Sequence, residues 1–408
     1  DVLWSDGSPF TAADVVFTFR YCSDPSTPCI SATLFHDAER VEQLGASTVR
    51  IVWRQPRPDP YGLFVGSQGL ILQERQFAGC IGAASVAEAR CVAANLAPLG
   101  TGPFRVDGFS PDREARFAIN RRFRDPAAPA FAAIRLGFVT DPLEAARSVF
   151  ERGEADYALG IEADAPTLAH MIELGRGRLI ETPTALVERL LFNQSDPDPA
   201  LGEARSDPRR LHPFLADRRV RRALALAIDR RVLATAFYER GVAGQPTCEL
   251  VVTAPYNQAG SLRDGRACEP DTDEARRLLD AAGWQVGADG IRQKNSRKLR
   301  LMLISTVKPA RQRAQELIRD AWGAVGVAVE LRSVEAPRFF GSGPDSAVRF
   351  PGVALLFASG SDTADQTEYL CQWASERIPQ PNNDWLGTNY ERYRNAEYDI
   401  LCARLRVE

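Results

Sequence analysis

At 408 residues, 45% hydrophobic and 25% charged, the chain is long enough to bury more than one core, and two or three domains are expected. A net charge of −3 and a pI near 5.9 offer no basic face to nucleic acid or an anionic membrane. No apolar run reaches the ~18 residues a membrane-crossing helix needs, so no transmembrane segment is expected.

Lysine is confined to Lys294, Lys298 and Lys308, so 47 of the 50 basic residues are arginine. They are scattered among 53 acids, which reads as coding bias rather than phosphate or carboxylate recognition. The eight cysteines form sequence-local pairs, Cys22/Cys29, Cys80/Cys91, Cys248/Cys268 and Cys371/Cys402, none with C-x-x-C spacing. With His36, His170 and His212 far apart, a zinc site is poorly supported, and disulfides in an oxidising compartment are the preferred reading. About 105 connectivities are formally open to eight cysteines, and free thiols are the alternative.

The segment Ser5-Asp6-Gly7 has turn chemistry, and Thr11 fits a helix N-cap with Asp14 as capping-box partner ahead of apolar Val15, Val16 and Phe19. A Pro- and Ser-rich loop follows between Cys22 and Cys29. Phe35 to Leu44 reads as helix or in part as strand, and Thr48 to Trp53 alternates as a strand. Cys80 to Cys91 spans an Ala-rich helix candidate. Gly100 and Gly102 suit a tight turn into a strand, and they lack the third glycine and the lysine of a phosphate loop. Strands are expected over Arg116 to Asn120 and Ile134 to Val139. A helix capped by Asp141, with Pro142 at its first position, should then lead through Gly153-Glu154-Ala155-Asp156 into another strand, giving a βαβ crossover.

Leu186 to Asn193 reads as a strand, and the polar, proline-rich stretch from Ser195 to Pro213 as a linker or surface loop. Asp217 should cap a helix through Ile228. A second helix stops at Gly283, and strand, helix and strand follow over Leu299 to Ser305, Pro309 to Val325 and Val327 to Leu331. Val353 to Ala358 reads as a buried strand opening into a small-residue, acidic loop. Asn395 to Leu405 should be helical. No G-x-S-x-G, H-E-x-x-H or Walker lysine occurs, and the cysteines have no nearby histidine, so no catalytic residue and no metal site are expected.

Several strings together carry a family resemblance. They are W-S-D-G-x-P-F-T-A-x-D-V-V-F-T-F from Trp4, P-x-G-T-G-P-F ending at Phe104, Gly153-Glu154-x-Asp156, and Leu191-Phe192-Asn193. Further on come D-x-R-V-R-x-A-L from Asp217, the helix ending in Gly283-Trp284, and the close around Asn389 to Asn395. In this order they resemble the extracellular solute-binding proteins of ABC importers, the group of dipeptide-, oligopeptide- and nickel-binding proteins. The resemblance implies an α/β, two-lobed periplasmic-binding-protein (Venus-flytrap) fold with an extra small subdomain. Its parts would be a small α+β subdomain over 1–98, a first α/β lobe over 99–200, and a second α/β lobe over 214–408. Members carry further sequence before the Trp4 motif and after the second lobe, so a fragment or processed form is expected, with the first lobe short of strands.

The function implied is extracytoplasmic capture of a small solute, a peptide foremost, in the inter-lobe cleft, for delivery to the membrane subunits of an ABC permease. No cofactor, nucleic acid or enzyme activity is implied, and membrane attachment would come only through a lipid anchor outside this chain. The alternatives are a sensor or receptor domain or an enzyme on the same fold, or a nickel complex, sugar or opine as solute. The strand before Ser359 corresponds to the family's "W..D..DP..FL" region, where an Asp pairs with a peptide's α-ammonium. By that correspondence Ser359, Ser361, Asp362 and Asp365 are candidate ligand contacts, although Ser359-Gly360 replaces the usual Gly-Trp and Gln366 the usual Pro. Trp385 and Tyr390 are candidates for aromatic cleft surface, with packing as the alternative.

Overall fold

The computed structural model describes residues 2–407 apart from 57–59, 67, 68, 140, 162–164, 183, 239–245, 253–268, 342, 345, 351, 353, 362–365 and 384. The chain divides into two compact units, Asp1–Ala163 with Arg406–Glu408, and Asp164–Leu405.

In the first unit, α1 (Ala12–Ser23) starts where the sequence predicts. Thr11 caps it and Asp14 completes the capping box. The acid does more than cap. Its Oδ2 accepts from the Trp4 indole at 3.2 Å and from Thr11 N at 2.9 Å, and its Oδ1 accepts from Glu74 N at 2.9 Å. The Trp4 motif is thus one polar hub that ties the entry turn, α1 and a segment some sixty residues away. Ser5 N also donates to Gly100 O at 3.0 Å, which joins the first glycine-containing motif to the second. The apolar face of α1, with Val15, Phe17 and Tyr21, closes a core with Phe35, Val41 and Phe77. The surrounding elements are α2 (Ala32–Phe35), β1 (Ala38–Gln43), β2 (Val49–Trp53), α3 (Glu74–Phe77) and α4 (Ala89–Leu96). Strands β1 and β2 pair antiparallel. Cys22–Cys29 and Cys80–Cys91 are disulfides, as their local spacing suggested.

Next, β3 (Phe104–Ser110), β4 (Glu114–Ile119) and β5 (Ala133–Gly137) form an antiparallel meander. The α5 helix (Pro142–Phe150) is capped by Asp141 with Pro142 at its start. The βαβ crossover expected here is corrected: 153–158 form no strand. A parallel strand needs a neighbour to accept its ladder, and Tyr157 and Leu159 instead lie exposed.

The second unit is built on a four-stranded sheet in the order β11-β10-β12-β6, from β6 (Val187–Phe192), β10 (Arg300–Thr306), β11 (Ala328–Val334) and β12 (Ala354–Ser359). The strands β10, β11 and β12 are parallel, and β6 runs antiparallel to β12. The small strands β7 (Gln285–Val286), β8 (Arg292–Lys294) and β9 (Arg297–Lys298) make a separate meander. Helices α6 (Ala165–Glu173), α7 (Arg218–Leu226), α8 (Arg230–Tyr238), α9 (Thr272–Ala281) and α10 (Pro309–Gly323) precede or join these strands. The α10 helix is the crossover from β10 to its parallel neighbour β11, which is the α/β unit the sequence implied.

Alternation along the strands places Leu301, Leu303 and Leu356 against α7, α9 and α10, around Leu224, Leu279, Ile318 and Trp322. On the other face Leu191, Ile304 and Phe357 pack with Phe339 and Phe350. Both faces are covered, which explains the near-continuous apolar run of β10. Gly283, at φ 86°, ends the α9 turn in the left-handed region. The remaining helices are α11 (Ala336–Phe339), α12 (Thr367–Leu370) and α13 (Ala396–Leu405), with α13 held by the Cys371–Cys402 disulfide. Cys248 is disulfide-bonded too, and Cys268 lies outside the described residues.

The stretch from Ser195 to Pro213, expected as a linker or surface loop, lies mostly at the surface and is anchored at both ends. Ser195 and His212 are buried, Ser195 bridges to Leu211, and His212 Nδ1 accepts from the Phe214 and Leu215 amides at 3.3 and 3.1 Å. Polarity in the sequence did not distinguish solvated side chains from ones that serve buried backbone groups.

Candidate functional site

Parallel β10, β11 and β12 bring their carboxyl ends, Thr306, Val334 and Ser359, to one edge of the sheet, the edge where open α/β sheets meet ligands. Because β6 is antiparallel, its first residues arrive at the same edge, with Val187 opposite Ser359, Glu188 opposite Ala358 and Arg189 opposite Phe357. Adjacent residues of a strand point to opposite faces, so Glu188 and Arg189 meet different surroundings.

Glu188 faces α10. Its Oε1 accepts from Arg311 Nη2 at 2.7 Å and Nε at 3.1 Å, while Arg311 Nη1 donates to Thr306 Oγ1 at 2.6 Å. Pro309 opens α10 and so puts Arg311 in its first turn, beside the end of β10. The pair is largely withdrawn from solvent, at 11% and 19% side-chain exposure, and Glu188 Oε2 has no hydrogen-bond partner among the described residues.

Arg189, on the other face, donates from Nη1 to Ser359 Oγ at 2.9 Å and from Nη2 to Leu250 O at 2.7 Å. Its guanidinium lies over the Tyr369 and Trp373 rings, 5.1 and 5.7 Å from their centroids. Tyr369 Oη donates to the same Leu250 carbonyl, and Trp373 Nε1 donates to Glu391 Oε1 at 2.8 Å. Burial pushes the Glu391 carboxyl up to about 7, against the opposing effects of its hydrogen bonds and of Arg392 and Arg189. The edge therefore carries one neutralised ion pair, one fixed arginine and a carboxyl that holds its proton near neutrality.

Of the residues singled out from sequence, Ser359 lies at this edge against Arg189. Ser361 is half-buried next to it, its carbonyl accepting from Gln366 Nε2 at 3.4 Å. Asp362 and Asp365 lie outside the described residues. Trp385 is 8% exposed with the Arg349 guanidinium 3.5 Å above its ring, and Tyr390 packs against Phe357 at 6.1 Å. Sequence reasoning passed over Glu188, Arg189, Arg311 and Trp373. The available signal was the Glu188-Arg189 pair inside an otherwise apolar strand, where two charges are costly unless something uses them.

Two adjoining depressions open elsewhere on this unit. One of about 480 Å³ is lined by Asp207, Arg209, Ser375, Gln380 and Arg394 among others, and one of about 360 Å³ shares Pro208, Ser375 and Arg394 with it. Within the first, Arg209 holds the Asp207 carboxyl down at about 2. Among the described residues, none of the candidate ligand residues lines either depression. No helix among the described residues is long and apolar enough to cross a membrane.

Residues 1–379 match the family model of the bacterial extracellular solute-binding proteins, family 5, middle region. A Brucella ovis protein, provisionally named an ABC transporter peptide-binding protein, is 25% identical over 402 residues. That match takes in 98% of this chain and 66% of the relative, so the chain spans about two thirds of the length of such curated relatives. The oligopeptide-binding protein AppA of Bacillus subtilis, solved in complex with a nonapeptide, superposes with a TM-score of 0.71 at 17% identity, over 100% of this chain and 74% of that one. NikZ of Campylobacter jejuni, solved with Ni(L-His), gives 0.72 at 21% identity, over 100% and 73%. These likenesses establish the α/β, two-lobed fold of the periplasmic binding proteins.

Proposed function

Because the chain belongs to family 5 of the bacterial extracellular solute-binding proteins, a family of binding proteins and not of enzymes, we propose that it is the extracytoplasmic capture component of an ABC importer, with a peptide as its solute. The match of residues 1–379 to the family model carries this reading. The peptide assignment draws on the Brucella ovis relative, whose likeness extends over nearly the whole chain. In this account Ser359 and Ser361 offer hydrogen bonds to the solute at the sheet edge, and the acidic loop bearing Asp362 and Asp365 receives its α-ammonium. The Glu188–Arg311 pair keeps the edge in shape without contributing net charge. The captured peptide passes unchanged to the permease.

Ligand-dependent thermal stabilisation tests it. A peptide present at 100 times its Kd should stabilise the folded chain by about 2.7 kcal/mol. A saturable rise in melting temperature with mixed di- to pentapeptides is expected. No rise with any peptide, together with a rise for nickel–histidine or a sugar, would replace the peptide with that solute.

A further inference from the structure

Glu391 is a buried acid that solute capture does not use, and a single indole links it to the guanidinium at the sheet edge. Its Oε1 accepts from Trp373 Nε1 at 2.8 Å, and its Oε2 is buried with no hydrogen-bond partner among the described residues. The Trp373 ring stacks against Tyr369 at 6.0 Å and carries the Arg189 guanidinium over its face. Arg189 in turn donates to Ser359 Oγ, a candidate solute contact, and to Leu250 O, where Tyr369 Oη donates as well. An unbroken run of side chains therefore joins a buried carboxyl to the edge, from Glu391 through Trp373 and Arg189 to Ser359.

Charged and titratable groups face the carboxyl from several elements. Arg392, beside it in the chain, and Arg189, on β6, favour its ionised form, but burial outweighs them and keeps the proton on up to about pH 7. The hydroxyls of Tyr390 and, on α13, Tyr398 are pushed up by burial first, with the Glu391 charge among the lesser causes. Once ionised, a buried carboxylate with one bare oxygen needs a counter-charge. Arg392 is 2% exposed and committed to the Tyr390 and Val348 carbonyls. The bonds of Arg189 lie toward solvent, part-buried to Ser359 and exposed to Leu250, so water can replace them when the guanidinium moves. The indole N–H binds a carboxylate more strongly than a neutral carboxyl, and it draws the stacked ring the same way. Ser359 then loses the donor that fixes its hydroxyl.

We propose that Glu391, Trp373 and Arg189 form a proton-operated latch behind the sheet edge, in which loss of the Glu391 proton draws the indole and guanidinium back from Ser359 and loosens the hold on the solute. The effect on affinity rests on the reading of this edge as the solute site, whereas the movement of the latch belongs to the ligand-free chain. Coupling between two binding events is reciprocal, so a solute that prefers the protonated form must hold the proton on Glu391 by the same factor. Freeing one fixed hydrogen bond is worth about 3- to 10-fold in affinity.

The test follows the indole N–H signals of the six tryptophans by two-dimensional NMR as pH is raised, with that of Trp373 identified by its absence from Trp373→Phe. In the ligand-free chain the Trp373 signal should move with a midpoint near 7 and hold still in Glu391→Gln. Calorimetry with a mixed tripeptide library should show about 3- to 10-fold weaker binding at about pH 8 than at about pH 6, and equal binding at both by Glu391→Gln. Should Glu391→Gln not fold, a rise of the wild-type Trp373 midpoint on saturation with the library supports the latch, and an unmoved midpoint overturns it. A Trp373 signal static through this range, or one that still titrates in a folded Glu391→Gln, overturns the latch with no solute needed. Equal wild-type affinity at both pH values also overturns it while leaving peptide capture standing. Binding of no peptide at either pH removes the peptide reading, and the indole signal alone then decides the latch.

Discussion

Asp14→Ala should destabilise the first unit far more than an ordinary capping change. Asp14 is 5% exposed and takes three donors on two oxygens: Trp4 Nε1, Thr11 N and Glu74 N. Truncation strands all three. Trp4 is 2% exposed, so its indole N–H has no route to water, whereas Thr11 and Glu74 are only half-buried. Charging about 1–3 kcal/mol for the buried donor and the lower end of that range for the other two gives a loss of about 3–5 kcal/mol. Thr11→Ala, which removes the side-chain half of the capping box, including the 3.3 Å bond from Ala13 N, should cost about 1 kcal/mol. Urea denaturation followed by tryptophan fluorescence reports both, fitted as separate transitions if the two units unfold separately. A cycle with Trp4→Phe isolates the indole bond, and the pair should be non-additive by about 1 kcal/mol. A folded Asp14→Ala within 1 kcal/mol of wild type, or an additive cycle, would refute the hub.

Other expectations follow from the same geometry. Glu391 ordinarily titrates near 4.5 and in the fold near 7, so between those values the unfolded chain sheds a proton that the folded chain keeps. Stability should fall as pH rises through that window, by on the order of 3 kcal/mol, and Glu391→Gln should flatten the profile there. His212 moves the opposite way, from 6.5 to about 3 through burial and the Arg297 charge. The unfolded chain then binds the extra proton, and stability should fall as pH drops through that range, on the order of 5 kcal/mol if the window is traversed. Reducing Cys371–Cys402, which closes a separation of 31 residues, should cost about 3–4 kcal/mol in a denaturation series on the Cys371→Ser/Cys402→Ser double variant. Trp322→Ala removes a fully buried ring and its 2.9 Å bond to Leu224 O, and should lower stability by about 3–5 kcal/mol.

What the sequence made legible was local. The Thr11/Asp14 box, the Asp141-Pro142 start, the Asp217 cap and the Gly283 stop each rest on contacts within a turn or two, and the structure has all four. The Cys22–Cys29 and Cys80–Cys91 pairs were readable for the same reason. Long-range partners were not. Asp14 looked like a capping acid, and nothing near it announced Glu74 N. The strand at 187–192 was recognisable, but its pairing with β12, which brings Glu188 and Arg189 to the carboxyl-end edge of the sheet, depends on residues more than 160 positions away. Glu154 to Ala158 had the residues of a strand and no neighbour to pair with. The family resemblance led to the loop after Ser359, and the arginine that faces Ser359 came into view only through the antiparallel register of β6.

The most direct test of peptide capture is to purify the protein from its own host, release what it carries by denaturation, and identify the released molecules by mass spectrometry. Intact peptides, bound one per chain and rebinding unchanged after isolation, are the result this account requires. A non-peptide solute, or peptides returned cleaved after incubation with the folded protein, would contradict it.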